Sequence, residues 1–305
     1  DVIQGESFKM LFIVTDYQPD IFNDYLPSDD QLAAMQNDPS VTTGVLGTAY
    51  RRPRACAVLL LRADKERSEF TFTAFPSAMR VSTSSGEQSM ADLYNLYGRD
   101  FIVSEVASLT GLEIDYDLLL NITELSDIVT ELGGIPMYFS KELYYNGRIS
   151  TTVKPSDEDK DFLPLLYGIG KNNVDGPGAV ALLMNEDYST GVAERCVTLV
   201  TFFTELLNKL TAMSEADLTA FYDNLCEDAL IDTTFTVKEL VSHADLIYAY
   251  TREDFKKTTL SYPGRFVAAT ETSEAYFEPN TKEGLALFKK YRPLPSSQAE
   301  TTAPQ

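Results

Sequence analysis

The residues able to do chemistry in this sequence are few and far apart. FKMLFIVTD (8–16) reads as a buried strand that delivers Asp16 to its C-terminal edge. A carboxylate there can serve a site or simply cap a turn. Arg51, Arg52 and Arg54 lie in the segment RRPR, directly ahead of a second apolar run. Such a basic cluster can hold a phosphate, although three arginines within four positions also suit a solvated surface. Arg195 stands near the start of the helical stretch ERCVTLVTFFTELLNKLTAM, where it could equally bridge Glu194 or Glu205. The cysteines are Cys56, Cys196 and Cys226, too few for a disulfide framework, and no zinc-ligand spacing appears. The one histidine, His243, would have to serve any Ser-His or Cys-His nucleophile pair. It has no local signature for that role, and a helix histidine near a surface is the plainer reading.

These residues belong to a chain of 305 residues with a formal charge of −21 and 44% hydrophobic residues. The size is enough to bury a core without disulfide staples. The charge argues against nucleic acid as a partner, since Lys and Arg must displace counterions from phosphates. No stretch approaches the length of a membrane span. The opening DVIQGESFKM lacks a basic and apolar export signal, so the protein is expected to be cytosolic or to have an anchor outside this chain. PLPSSQAETTAPQ reads as a tail, giving an expected domain over 1–292 and a flexible segment over 293–305.

The elements that must position the site follow from periodicity. ACAVLLLRAD (55–64) is a second buried strand and EFTFTAFP (69–76) alternates as its hairpin partner, while VSTSSGEQS reads as a loop. A helix is expected over 91–111, stopped by Gly111. A strand follows at 116–122, then a helix from Thr123 to Gly133-Gly134, and IPMYFSKELYY is strand-like. Residues 150–176 read as loop, and Pro177 opens a short helix. The long helix over 194–213 is followed by two more, the first capped by Ser214. FKKTTLSYPG reads as a late strand and NTKEGLALFKKYR as a closing helix. Strands alternating with helices predict an α/β fold: a mixed central sheet with helices on both faces.

The order of these pieces resembles the LytR-CpsA-Psr cell-envelope family. The resemblance is carried by TD at 15–16, RACAVLLLRAD at 54–64, FTFTAFPSAMRV at 70–81 and LYNLYG at 93–98. It continues through GLEIDYDLLLNITELSDIVTELGGIPMYFSK at 111–141, PGAVALLMNE at 177–186 and GVAERCVTLVTFF at 191–203. The resemblance implies an extracytoplasmic, membrane-anchored protein that binds a polyprenyl-pyrophosphate lipid in an apolar tunnel. It also implies transfer of anionic glycopolymers to peptidoglycan, with Mg²⁺. Phosphoryl transfer of that kind depends on positioning and charge neutralisation.

The matched positions are mixed. Asp16 falls on a metal carboxylate, which implies a weak Mg²⁺ site, and Arg54 and Arg195 fall on phosphate-binding arginines. The second metal carboxylate falls on Cys56, and the Arg and Asp of a Pro-Arg-Asp motif fall on Ser77 and Ala78. Further arginines fall on Met184, Glu186 and Val192, and two glutamines on Cys196 and Val197. Arg51, Arg52 and Ser77 are left as candidate ligand contacts. Cys56 and Cys196 both map to the pocket rim, where they could form a disulfide or pack as small apolar groups. The expected function is that of a divergent member binding polyprenyl-(pyro)phosphate or an anionic wall glycopolymer, with impaired or lost phosphotransferase activity. An active Mg²⁺-dependent transferase with a remodelled site, and an envelope scaffold without a ligand, are the alternatives.

Overall fold

A computed structural model describes residues 3–17, 53–147, 149–185, 192–271 and 273–292. The candidate contacts Arg51 and Arg52, together with Glu186 and the tail 293–305, lie outside the described residues. The chain runs β1 (Phe8–Thr15), β2 (Ala55–Asp64), β3 (Glu69–Phe75), β4 (Arg80–Thr83), β5 (Gly86–Ser89), α1 (Met90–Tyr97) and α2 (Arg99–Thr110). It continues with β6 (Tyr116–Asn121), α3 (Ile122–Glu131), β7 (Ile135–Phe139), β8 (Leu143–Tyr145), β9 (Ser150–Thr151), β10 (Leu165–Tyr167) and β11 (Gly170–Val174). Next come α4 (Gly176–Met184), α5 (Val192–Thr211), α6 (Glu215–Glu227), β12 (Asp232–Thr233), α7 (Val237–Ser242) and α8 (Ala244–Tyr248). The last elements are β13 (Lys256–Thr259), β14 (Gly264–Val267), β15 (Tyr276–Pro279) and α9 (Thr281–Lys289).

Among the described residues the predicted mixed sheet has six strands in the order β12-β6-β1-β2-β3-β13. β1 is antiparallel to β2 and parallel to β6, and β13 is parallel to β3. All ten residues of β2 are buried, because a central strand covered on both faces needs apolar side chains in both directions. Alternation then divides the core. Phe8, Met10, Val14, Leu59 and Leu61 pack under α3 to α8, whereas Leu11, Ile13, Val58 and Leu60 pack under α1, α2 and α9. Helices therefore cover both faces.

Several expected boundaries move. The helix expected over 91–111 is two helices, broken at Gly98, whose φ of 82° suits a residue without a Cβ. Its predicted stop holds: Gly111 is left-handed and donates its N–H to the Ala107 carbonyl at 2.7 Å. VSTSSGEQS is the β4–β5 hairpin rather than a loop, and 150–176 contains β9, β10 and β11. α3 is capped by Asn121 rather than Thr123, in a reciprocal box with Glu124. Ser214 caps α6 as expected. The helix expected around His243 breaks there into α7 and α8, and His243 is buried rather than near the surface.

Between the sheet and α3, α5, α6, α7 and α8 lies a cavity of about 140 Å³ lined wholly by apolar surface. Its walls run from Phe8 to Leu120. Leu120 pairs with Val14, two residues short of Asp16, so the cavity approaches the edge where β1 and β6 both end.

Candidate functional site at the sheet edge

β1, β3 and β6 all finish at one edge, and β2 starts there. In a sheet with parallel strands, the crevice outside the carboxyl ends is where a ligand meets converging loops and helix starts. Asp16 and Arg54 meet at this edge. After a bulge at Val14/Thr15, the Asp16 N–H donates to the Arg54 carbonyl at 2.9 Å. The Arg54 N–H donates to Asp16 Oδ1 at 2.7 Å. The Asp16 carboxylate, 4% exposed, thus extends the ladder by one side-chain rung.

The Arg54 guanidinium turns to the face covered by α1. Its Nε donates to Asp92 Oδ1 at 2.6 Å, and Ser89 Oγ donates to Asp92 Oδ2 at 2.5 Å. α1 itself is pinned to the edge by its own N–H groups. Met90 donates to the Met79 carbonyl at 2.8 Å and Ala91 to the Ser77 carbonyl at 3.0 Å. Ser77 therefore lies in the turn after β3, half-buried, with its carbonyl holding the helix start.

Arg195 lies at the same edge on the opposite face. Its guanidinium is buried at 4% exposure and donates to the carbonyls of Cys56 at 2.6 Å, Leu183 at 2.9 Å and Asn185. It neutralises the C-terminal end of α4 and ties α4 and α5 to β2, a favourable place for a cation. Asp16 and Arg54 thus meet just ahead of β2 and Arg195 binds the Cys56 carbonyl, while the two guanidinium groups point to different layers. The other arginines nearby are also engaged by the chain itself. Arg99 pairs with Asp117 at 3.2 Å and Asp232 at 2.8 Å, and Arg80 stacks 3.3 Å from the Tyr276 ring centroid.

Of the two readings open for Cys56 and Cys196, a bridge or separate small residues, the structure has separate thiols, as at Cys226. Cys56 Sγ donates to the Val14 carbonyl at 3.3 Å within the strand pair. Cys196 packs against the core under α5, and burial pushes its thiol up to about 11. Among the described residues the donor set at this edge does not fit a Mg²⁺ centre. Mg²⁺ wants hard oxygen ligands, whereas Asp16 Oδ1 already accepts a backbone N–H and Cys56 offers sulfur. Among the described residues no group of three His, Cys, Asp or Glu side chains could hold a metal ion. No helix among them is long and apolar enough to cross a membrane.

Sequence reasoning missed Ser89 and Asp92. The signal was present as Ser-x-x-Asp ahead of an apolar run, a helix-start signature. Ser89 does cap α1, accepting the Asp92 N–H at 3.1 Å.

A sequence model of the LytR_cpsA_psr family matches residues 25–292. Among solved structures, the chain is similar to TagV of B. subtilis, with 17% identity and a TM-score of 0.67 over 95% of this chain and 96% of that one. It is also similar to TagT bound to LIIa-WTA, with 14% identity and a TM-score of 0.62 over 93% and 89% of the two chains. A third likeness is to protein gbs0355 of Streptococcus agalactiae, with 13% identity and a TM-score of 0.64 over 93% and 86%. At these identities the structural likeness shows the fold alone. No curated protein matches the chain.

Proposed function

The chain belongs to the LytR_cpsA_psr family, and from that premise we propose that it binds a polyprenyl-(pyro)phosphate or an anionic wall glycopolymer at the cell envelope, with little or no phosphotransferase activity. The observation that carries the reading is the apolar cavity whose wall reaches Leu120, beside the polar edge that holds Asp16 and Arg54. An amphiphile with an isoprenoid tail in the hollow would have to pass its anionic head around the sheet edge to reach Arg54, whose guanidinium turns to the α1 face. The anionic polymer carried by TagT in its complex, LIIa-WTA, supports the same class of ligand. At about 140 Å³ the cavity is the size of one that admits a single benzene-sized group. A long prenyl chain would therefore have to part α6 and α7 from the sheet.

Weakened chemistry follows from the charge missing at this edge. The matched positions carry Cys56, Ser77 and Ala78 where the family pattern has charged residues. Arg54 and Arg195, which keep the charge, are engaged by Asp92 and by backbone carbonyls. A pyrophosphate needs several charge-assisted bonds, each worth about 1.5–3 kcal/mol, and among the described residues this edge has little guanidinium to offer.

The test is calorimetric titration of the protein with farnesyl phosphate, beside the variant Leu125→Trp, which fills the cavity. Saturable binding by the wild type, lost in the variant, is expected. Mg²⁺-dependent turnover of farnesyl pyrophosphate should stay at background. Equal binding by both proteins would remove the cavity from the reading, and rapid turnover would overturn the claim of impaired chemistry.

A further inference from the structure

We propose that Asp92 is a built-in occupant of the anion position at the sheet edge, and that its carboxylate sets how tightly an outside phosphate is held there. The inference rests on the phosphate-binding reading above and adds the residue that tunes it.

Arg54 presents the guanidinium at this edge, and Asp92 meets it where a ligand oxyanion would. Oδ1 takes the Nε–H of Arg54 at 2.6 Å, and Oδ2 takes the hydroxyl of Ser89 at 2.5 Å. The Ser89 oxygen in turn lies 3.4 Å from Arg54 Nη2. Asp92 sits in the first turn of α1, where the helix field favours negative charge. A guanidinium, a hydroxyl and a helix start converging on one carboxylate form the same arrangement that receives a phosphate oxygen elsewhere.

Two further observations make Asp92 a competitor rather than a fixed strut. The pair is open to solvent, with side-chain exposures of 28% for Arg54 and 34% for Asp92. An ion pair that open is weak and can exchange partners. The α1 N–H groups are not waiting for a ligand, because Met90, Ala91 and Asp92 donate theirs to Met79, Ser77 and Ser89. The competition is therefore for Arg54, between a tethered carboxylate and an incoming phosphate.

The experiment uses the full chain with two probes, inorganic pyrophosphate and farnesyl phosphate. The variants are Asp92→Asn, Asp92→Glu, the double variant Arg54→Gln/Asp92→Asn, and Asp157→Asn as a remote charge control. Asn keeps the size of Asp and leaves the Ser89 cap on the backbone, so melting should match the wild type. Asp92→Asn is expected to bind pyrophosphate about tenfold more tightly, the scale of one charge-assisted hydrogen bond gained. Asp92→Glu and Asp157→Asn should bind like the wild type, and the double variant should lose the gain. No gain in Asp92→Asn, an equal gain in Asp157→Asn, or a gain that survives loss of Arg54 would each overturn the proposal. The lipid reading fails separately, through absent farnesyl selectivity and indifference to Leu125→Trp while the pyrophosphate response persists.

Discussion

On the face covered by α1, α2 and α9, Leu11, Ile13, Val58 and Leu60 meet Leu93, Ile102 and Phe288, and none of these is more than 2% exposed. On the other face, Met10, Phe12 and Leu61 of the same strands, with Leu118 of β6, leave about 140 Å³ unfilled beneath α5 and α6. Close-packed interiors do not keep such voids without cost, since the lining loses dispersion contacts. One layer thus serves as the base of the fold, and the other carries room for a ligand. Substitutions should therefore act differently on the two faces.

Arg195 provides the largest expected effect, because it belongs to the roomy face and yet holds it in place. Arg195→Gln would leave the carbonyls of Cys56, Leu183 and Asn185 without their shared donor in a buried place. The expected loss is about 3 kcal/mol in urea unfolding. A loss below about 1 kcal/mol would mean that the group behaves as a surface ion and is available to a ligand.

The next effect compares the two faces directly. Leu60→Phe adds volume to the filled face, and overpacking of that kind costs about 1–3 kcal/mol. Leu118→Phe adds the same volume beside the cavity and should be close to neutral, while competing with any prenyl ligand. Equal destabilisation by the two would erase the contrast between the layers.

The same contrast explains what could be read before the structure. β1 and β2 were legible because strands buried on both faces leave uninterrupted apolar runs, and α5 because one side of a long helix must be apolar. β9, β10 and β11 were not, since they pair locally, outside the main sheet, and contain little apolar pattern. At the site, Asp16 and Arg54 could be placed because each adjoins a central strand. Asp92 could not be assigned to Arg54, because their contact spans 38 positions and a helix-start acid looks the same with or without a partner. Arg195 defeated local reading for a similar reason: its acceptor at Cys56 is 139 residues away and is a carbonyl, which every residue carries.

The smallest effect concerns acid, and it should be confined to the roomy face. His243 is 6% exposed, lies 3.2 Å from the Tyr116 hydroxyl, and stacks on Phe235 at an interplanar angle of 20°. Burial holds its imidazole below the ordinary value, although the carboxylates of Glu239, Asp115 and Glu6 oppose the shift. The unfolded chain therefore binds a proton near pH 6.5 that the folded chain refuses until lower pH. Stability is undiminished above that window, falls as pH drops through it, and stops falling on this account once the folded imidazole is protonated. His243→Phe keeps the ring and removes the proton site. It should lose about 1 kcal/mol at neutral pH with the Tyr116 hydrogen bond, yet lose less than the wild type between pH 6.5 and the lower folded value. Hydrogen exchange locates the effect: acid should loosen α7 and the start of β1 in the wild type and leave α2 unchanged. Loosening of α2 to the same degree would show that the two layers do not respond separately.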